Sequence, residues 1–559
     1  MALSDHLISP VVSLLTCSTA ATLLLAAAAV TAAVAWYLFY RPSSQEPCDD
    51  DWSRLGVRFP KLPITFFGGS NFRLKISQLL EQYGDTVGLR LGGRLWLLTV
   101  NLDLLRTIMV KDFNNFVDRA DTLNSNTPIA RSLFFATGNH WRRQRQIVSP
   151  TFSSGKLKYI SKTVELSAKK LADYLVQRAK DGAVVPIKDT SARYSCEVIA
   201  RIAFGLEANF IQEEASEFFE HGKNMLMLSY EGISRFILMS MHRVPNLVDT
   251  CNRLFKSVQL FDAVNLTSNT YFKTVLTSTI AERKMQQRSG KERKHVDFLD
   301  LLLKANEAVR AGNPEKDEEG NASLAGTEGV ATKDLDDEEM LGHSMLVIFA
   351  GLETTATTLQ MCLFELARYP EIQDKVYTEI QNVLPEGEAS PEDINNLHYT
   401  EWVINETLRL HPPIPTVSRK AKETRTYDGI TIPKGACVMI PFWHIVMDPK
   451  IWPEPEKFIP ERFSPEEKDR RDPMAFICFG QGPRLCLGMC LAYLELKQAL
   501  VHILRKVKVV LNENTEPKKG AGGVEVKSSG LLTPVKPVLL AFELRQDNTQ
   551  TPNSSDDTN

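Results

Sequence analysis

The residues best suited to chemistry sit in one loop, Phe479-Gly480-Gln481-Gly482-Pro483-Arg484-Leu485-Cys486-Leu487-Gly488. A single cysteine framed by glycines stands directly ahead of a long helical pattern, Met489 to Val507. Unpaired N–H groups and the positive end of the helix dipole at such a place favour a thiolate. A stable thiolate is what an iron ligand has to be. Gly482 and Gly488 permit a tight loop and a close backbone approach to a flat cofactor, and Arg484 can meet a carboxylate on it. Simple burial is the commoner fate of an arbitrary cysteine. A zinc site would draw on Cys478, Cys486 and Cys490, but their spacing is not that of a zinc ligand set.

A second set lies in Ala350-Gly351-Leu352-Glu353-Thr354-Thr355, within a proline-free run from Leu341 to Tyr369 that is bounded by Asp336 to Glu339 and by Pro370. The run predicts one long helix. A threonine hydroxyl after a helix-interior glycine can compete for a backbone carbonyl and bend the helix, opening a groove. Glu353 beside Thr354 places an acid next to a hydroxyl, a pair able to relay protons through water. Glu406-Thr407-Leu408-Arg409 puts opposite charges on one helix face, an ordinary surface pair unless its apolar setting buries it.

The cysteine loop resembles the haem-binding loop of the cytochrome P-450 family, Phe-x-x-Gly-x-Arg-x-Cys-x-Gly, at every fixed position from Phe479 to Gly488. The resemblance implies that Cys486 is the axial thiolate to the iron of haem b, with Phe479, Arg484 and Gly488 in its cradle. It also covers Ala350 to Thr355, similar to the family's oxygen-binding helix and implying roles for Glu353 and Thr354. Phe458-Ile459-Pro460-Glu461-Arg462-Phe463 resembles its second arginine segment and implies a buried Glu406–Arg409–Arg462 network of structural purpose. Trp141 and Arg145, four residues apart in His140-Trp141-Arg142-Arg143-Gln144-Arg145, resemble the family's pair against the haem propionates, whereas Arg142 and Arg143 read as a solvated basic face. Arg119 and Arg419 resemble two further propionate partners. The run from Trp141 to Lys158 is most similar to the branch with vertebrate drug- and steroid-oxidising microsomal enzymes and thromboxane synthase.

The elements that must position these residues follow the same reading. Helical spacing dominates in Leu157 to Arg178 and Asp189 to Phe204, and a short strand pair is predicted at Val87 to Leu91 and Arg94 to Val100 around Gly92–Gly93. The expected fold is mainly α with small β-sheets, the cytochrome P-450 fold as a single large domain behind an N-terminal transmembrane helix. Residues 1–42 are the expected membrane anchor, with a spanning helix at about 11–40. Residues 43–545 form the haem-thiolate domain and 546–559 a polar disordered tail. Trp36, Tyr37 and Tyr40 mark the interface, and Arg41, Arg54, Arg58 and Lys61 follow on one side, so a single-pass anchor with the domain facing the cytosol is expected, and the resemblance to microsomal enzymes implies the endoplasmic reticulum membrane. The stretch 307–339 reads as a solvated acidic loop.

With 65 basic against 68 acidic residues and a net charge of -3, the chain has no field for a polyanion, so no nucleic-acid partner is expected. The pocket stretches, Thr127 to Phe135, Met225 to Leu238, Leu346 to Gly351, Ile414 to Val417 and Gly530 to Pro534, are largely apolar and favour a lipophilic small-molecule substrate. The resemblance implies a monooxygenase that takes NADPH electrons from an NADPH–cytochrome reductase, with cytochrome b5 as an accessory donor. A thromboxane-synthase-like peroxide isomerase and a non-catalytic haem carrier are the alternatives.

Overall fold

The computed structural model describes residues 55–60, 72–91, 94–120, 127–213, 215–225, 265–289, 297–313, 333–385, 390–515, 524–528 and 531–545. The expected anchor, the Gly92–Gly93 turn, most of Met225 to Leu238, the middle of the acidic stretch and the tail lie outside the described residues.

The axis of the molecule is the helix Asp337–Arg368. It begins earlier than the apolar pattern suggests, because its acidic flank is its cap. Asp336 accepts from the Glu339 amide and Glu339 accepts from the Asp336 amide, so two terminal N–H groups are satisfied reciprocally. It ends at Tyr369, where Pro370 opens the next helix, Pro370–Val383. Past its exposed first turn this long helix is buried along most of its length, and it opens in the middle, where Ala350 is exposed and Leu346 and Thr354 are among the half-buried residues. Those three positions are four residues apart and therefore share one face.

Around the long helix pack Ile187–Phe204, Leu266–Arg288, His398–Leu410 and Met489–Lys506, with Ser154–Lys180 laid outside on Ile187–Phe204 and Met489–Lys506. Ile187–Phe204 crosses the long helix at Gly351, where a methyl group would lie 2.4 Å from Ile199 Cδ1, and at Gly342 one would lie 2.3 Å from the Pro128 carbonyl oxygen, so glycine lets both neighbours lie near. The expected strand pair is present as Thr86–Leu91 antiparallel to Arg94–Thr99, with Leu89 opposite Trp96. Cys437–Ile440 adds to it in parallel and Val417–Lys420 antiparallel, which sets Arg419 opposite Val438 on the edge strand. Val185–Pro186, Leu539–Leu544 and Val507–Leu511 form a second sheet against the helices.

The Glu-x-x-Arg segment lies in the helix His398–Leu410, and its setting is buried, as the apolar neighbours imply. Arg409 grips Glu406 through two bonds, Nε to Oε2 at 2.7 Å and Nη2 to Oε1 at 2.8 Å, and neither side chain has any exposure. Arg409 also donates to the Val446 and Lys457 carbonyls at 3.0 and 3.1 Å, while Glu406 accepts from the Ile459 amide at 2.9 Å. Arg462 completes the group with Nε 3.3 Å from Glu406 Oε1. The network ties His398–Leu410 to the segment that leads into the cysteine loop. Arg409→Leu leaves a buried carboxylate without its bidentate partner and should destabilise the protein by about 3–5 kcal/mol. The urea midpoint reads this directly, and a change below about 1 kcal/mol, the value of a surface pair, would contradict a buried role.

Candidate functional site

The cysteine loop is closed by its own backbone: Cys486 N donates to Phe479 O at 2.9 Å and Leu485 N to Gly482 O at 2.9 Å. Gly482 has φ 70, a left-handed conformation, and a methyl group there would stand 1.9 Å from the Met109 carbonyl oxygen. That oxygen belongs to the Thr107–Lys111 turn and cannot step aside, so the loop docks on it only through glycine. Gly488 differs. Its φ is an ordinary -87, and nothing lies within 4 Å of where a side chain would begin. The polypeptide leaves open space there.

Cys486 is exposed to a water-sized probe, yet the surrounding protein desolvates its thiol. An atom both accessible and enclosed faces an internal recess. Burial pushes the thiol above its usual range, against the Gly488 amide and the charges of Arg145 and Arg119. The helix start alone is therefore insufficient to make the thiolate expected from the sequence, and a sulfur so placed sheds its proton on binding a cation. Cys478 is of another kind: Sγ donates to Leu408 O at 3.5 Å, and burial pushes its thiol up to about 12, leaving it inert.

Four arginines converge on the recess. Arg119 and Arg484 both donate to the Phe134 carbonyl, at 3.1 and 3.3 Å, and Arg484 also donates to Ala136 O at 2.6 Å. Arg145 Nη1 donates to Leu485 O at 3.1 Å, directly beside Cys486. Arg419 donates to Ser418 O at 2.9 Å, and a bridge between Asp118 and Lys420 draws its strand to the Arg119 segment. Burial, then the charges of Arg419 and Arg145, lower Arg119 to about 9, while burial lowers Arg419 to about 10. Arg484 lies well below its usual value through burial and the nearby Arg119 and Arg419. The Nε groups of Arg119, Arg419 and Arg484 are buried with no hydrogen-bond partner among the described residues. Repelling guanidiniums with unused donors are a receptor for anionic oxygens. Trp141 is buried on the helix Gly138–Val148 with the Arg484 guanidinium 4.7 Å from its ring centroid, and Phe113 meets it edge-on at 5.4 Å.

Leu487 of the cysteine loop and Leu346 of the long helix pack on one apolar cluster, Phe113, Val117, Leu133, Ala136 and Trp141, so the two sides of the recess meet there. The open face of the long helix brings Thr354 to this side, its hydroxyl donating to Ala350 O at 2.7 Å. Glu353 does not join it. Successive helix residues point about 100° apart, and Glu353 Oε2 is held by Lys188 Nζ at 2.5 Å, with Lys188 also donating to Thr357 Oγ1 at 3.0 Å. Adjacency in a helix separates side chains, so Glu353 and Thr354 point to different sides, and the relay through water read from the sequence has to span the turn between them. Phe479 is half-buried and packs on Tyr493, ring centroids 5.4 Å apart, at the start of Met489–Lys506.

Arg143 corrects the basic-face reading. It is buried, donates to Glu339 and to Asp334 O, and so fastens Gly138–Val148 to the first turn of the long helix. Lys188 and the Phe134 carbonyl had no local signal, being remote in sequence from the groups they hold. Open space beside Gly488, an accessible cysteine sulfur and buried arginine donors in want of an anion fit a flat, carboxylate-bearing metal macrocycle.

Residues 61–542 match the sequence profile of the Cytochrome P-450 family. Cytochrome P-450 3A11 of Mus musculus is 32% identical over 518 residues, covering 91% of this chain and 95% of that protein. Cytochrome P-450 3A27 of Oncorhynchus mykiss is 29% identical over 510 residues, 89% of this chain and 91% of its own. Cytochrome P-450 3A7 of Homo sapiens is 30% identical over 507 residues, 89% and 93%.

The two glycines should separate fold from cofactor. Gly482→Ala forces a strained backbone against Met109 and should yield protein that neither holds the cofactor nor unfolds cooperatively, whereas Gly488→Ala meets no protein atom and should keep its helix content by circular dichroism while losing cofactor. Equal cofactor content in Gly488→Ala and the unaltered protein would show that the space beside Gly488 is not where the macrocycle lies.

Proposed function

The chain belongs to the cytochrome P-450 family, whose members bind haem b through a cysteine thiolate and act as monooxygenases, and on that premise we propose which of its residues do this work and on what. Cys486 would supply the thiolate to the haem iron, Arg119, Arg145, Arg419 and Arg484 with Trp141 would hold the propionates, and Phe479 and Gly488 would complete the cradle around the cysteine. The support is the set of buried guanidinium donors lacking an anion beside an accessible sulfur. The haem, when bound, supplies dioxygen reduction and transfer of one oxygen atom to substrate.

The protein's part is to hold, shield and protonate. Thr354 gives its own hydrogen to Ala350 O and so presents lone pairs to the recess, where it holds a water that delivers the proton. Glu353, paired with Lys188, is the carboxyl group that exchanges protons with this water. The stretches that we place along the pocket are largely apolar, with Phe134, Phe135, Ile414, Leu531 and Leu532, and suit a lipophilic substrate. Electrons come from NADPH through a membrane-bound NADPH–cytochrome reductase, with cytochrome b5 as an accessory donor. The chain resides in the endoplasmic reticulum membrane on its N-terminal helix, with the domain in the cytosol. Thromboxane-synthase-like isomerisation has no use for a proton-delivering hydroxyl and is the weaker reading.

Cys486→Ser should abolish the thiolate-type band of the reduced, carbon-monoxide-bound spectrum while Cys478→Ser and Cys490→Ser retain it. The reverse result would move the ligand.

Function is tested with the membrane-bound protein, reductase, NADPH and a panel of lipophilic compounds. Turnover should yield hydroxylated or epoxidised product in the unaltered protein. Thr354→Ala should keep haem and substrate binding but divert NADPH to hydrogen peroxide, lowering product per NADPH by roughly tenfold or more, as expected when a general-acid contribution of about 10²–10⁴ is partly lost. Unchanged coupling would take Thr354 out of proton delivery, and product formed without NADPH would favour the isomerase.

A further inference from the structure

Behind its open face, the long helix is gripped by a serine from the neighbouring helix. Ser195, buried on Ile187–Phe204, lies with Oγ 3.0 Å from the Gly351 carbonyl oxygen. On its far side Glu495, from Met489–Lys506, has Oε2 3.5 Å from the same Oγ. A serine hydroxyl carries one hydrogen, and a carbonyl can only accept. That hydrogen belongs to Gly351, so the contact with Glu495 is a hydrogen bond only if the acid is protonated and donates. Burial of Glu495, which finds no basic partner among the described residues, holds its carboxyl far above the usual range and supports that assignment. Tyr194 OH donates to the Glu495 main-chain oxygen at 2.9 Å, fixing the two helices together at this level.

The carbonyl that Ser195 holds is one residue from the carbonyl that Thr354 holds. Ala350 O takes the Thr354 hydroxyl at 2.7 Å, and Gly351 O takes Ser195, so successive carbonyls of one turn each carry a donor beyond the intrahelical amide. An added donor draws a carbonyl outward and lengthens its intrahelical bond. Ser195 can reach the backbone because Gly351 has no side chain and Ile199, one turn along from Ser195, already occupies that space.

We propose that Ser195 is a positioning residue for oxygen activation, acting through the Gly351 carbonyl on the turn that aims Thr354, and that Glu495 serves it as a neutral hydrogen-bond donor. This rests on Thr354 being the oxygen-side hydroxyl. Ser195 touches neither substrate nor haem; its effect is to hold the turn in one geometry. An ionised Glu495 would instead compete with Gly351 for the serine hydrogen and release the turn.

The test uses the full-length protein with reductase and one oxidised substrate, comparing Ser195→Ala, Glu495→Leu, Glu495→Gln and Thr354→Ala at equal content of the thiolate-type carbon-monoxide band. Ser195→Ala and Glu495→Leu should lower the ratio of product to hydrogen peroxide about three- to tenfold, the weight of one lost hydrogen bond. Glu495→Gln, whose amide still donates, should match the unaltered protein. Hydrogen exchange supplies a readout apart from turnover: the Thr355 amide, partner of the Gly351 carbonyl within the helix, should change its exchange rate in Ser195→Ala and Glu495→Leu but not in Glu495→Gln. If Thr354→Ala uncouples and Ser195→Ala leaves both coupling and exchange unchanged, the positioning role is wrong and the reading of Thr354 stands. Uncoupling in Glu495→Gln as severe as in Glu495→Leu would overturn the neutral-donor role, since the proton and not the bond would then matter. If Thr354→Ala itself couples normally, the reading of the site falls, and this inference with it.

Discussion

Arg119, Arg145, Arg419 and Arg484 repel one another inside the protein, and much of the structure is arranged to bear that repulsion. Bringing charged groups out of water costs several kcal/mol apiece in real proteins, and here carbonyl oxygens of Phe134, Ala136, Leu485 and Ser418 take part of the load. Dipoles reduce the penalty without removing it, as the lowered values of Arg119, Arg419 and Arg484 register. Asp118 is the acid whose field favours Arg484, and its Oδ1 is already engaged by the Gly138 amide at 2.7 Å. A dianion inserted among these groups removes the repulsion and fills the unused Nε donors. Binding that favours only the folded state adds stability that grows with its affinity, so with the propionates proposed to lie here, folding and cofactor uptake would be coupled through these four side chains.

The same constraint explains why the opposite walls of the recess are rigid. Gly482 fits against Met109 with no tolerance, and the Glu406–Arg409 pair fastens the segment that precedes the cysteine loop. On the other wall the long helix is fixed at its start by the Asp336–Glu339 box and by Arg143, and in its middle by the crossing at Gly351. In the middle of the helix Ala350, with Leu346 and Thr354 to either side, is left open. A wall held at so many points keeps a hydroxyl within the narrow tolerance that proton delivery demands.

The sequence made some of this legible and not the rest, for a physical reason. The cysteine loop, the long helix, the strand pair and the Glu406–Arg409 pair declare themselves because their signals are local: glycines at fixed offsets, apolar spacing, charges three residues apart. Arg143 was misread because a basic run looks alike whether it is solvated or buried against Glu339, and Glu339 lies far along the chain. Glu353 and Thr354 were joined as neighbours in sequence, but helix geometry turns them apart, and the partner of Glu353 is Lys188 on another helix. The propionate-type arginines could be singled out only by family resemblance; the meeting of Arg119 and Arg484 on the Phe134 carbonyl is a product of tertiary folding.

The hydrogen of Thr354 is committed to Ala350, and the charge of Glu353 to Lys188, so neither group is poised to hand a proton directly into the recess. What the pair offers is an acceptor for water on one side and an ionisable group on the other, with Lys188 about one-third exposed toward solvent. Proton supply in such a site runs through water that the hydroxyl orients, and its rate is set by how firmly the turn holds that hydroxyl. A carrier would gain nothing from this arrangement, and an isomerase rearranging a peroxide without external protons would gain little. The position of the lone pairs of Thr354, rather than the acidity of Glu353, is therefore the feature that most favours oxygen activation.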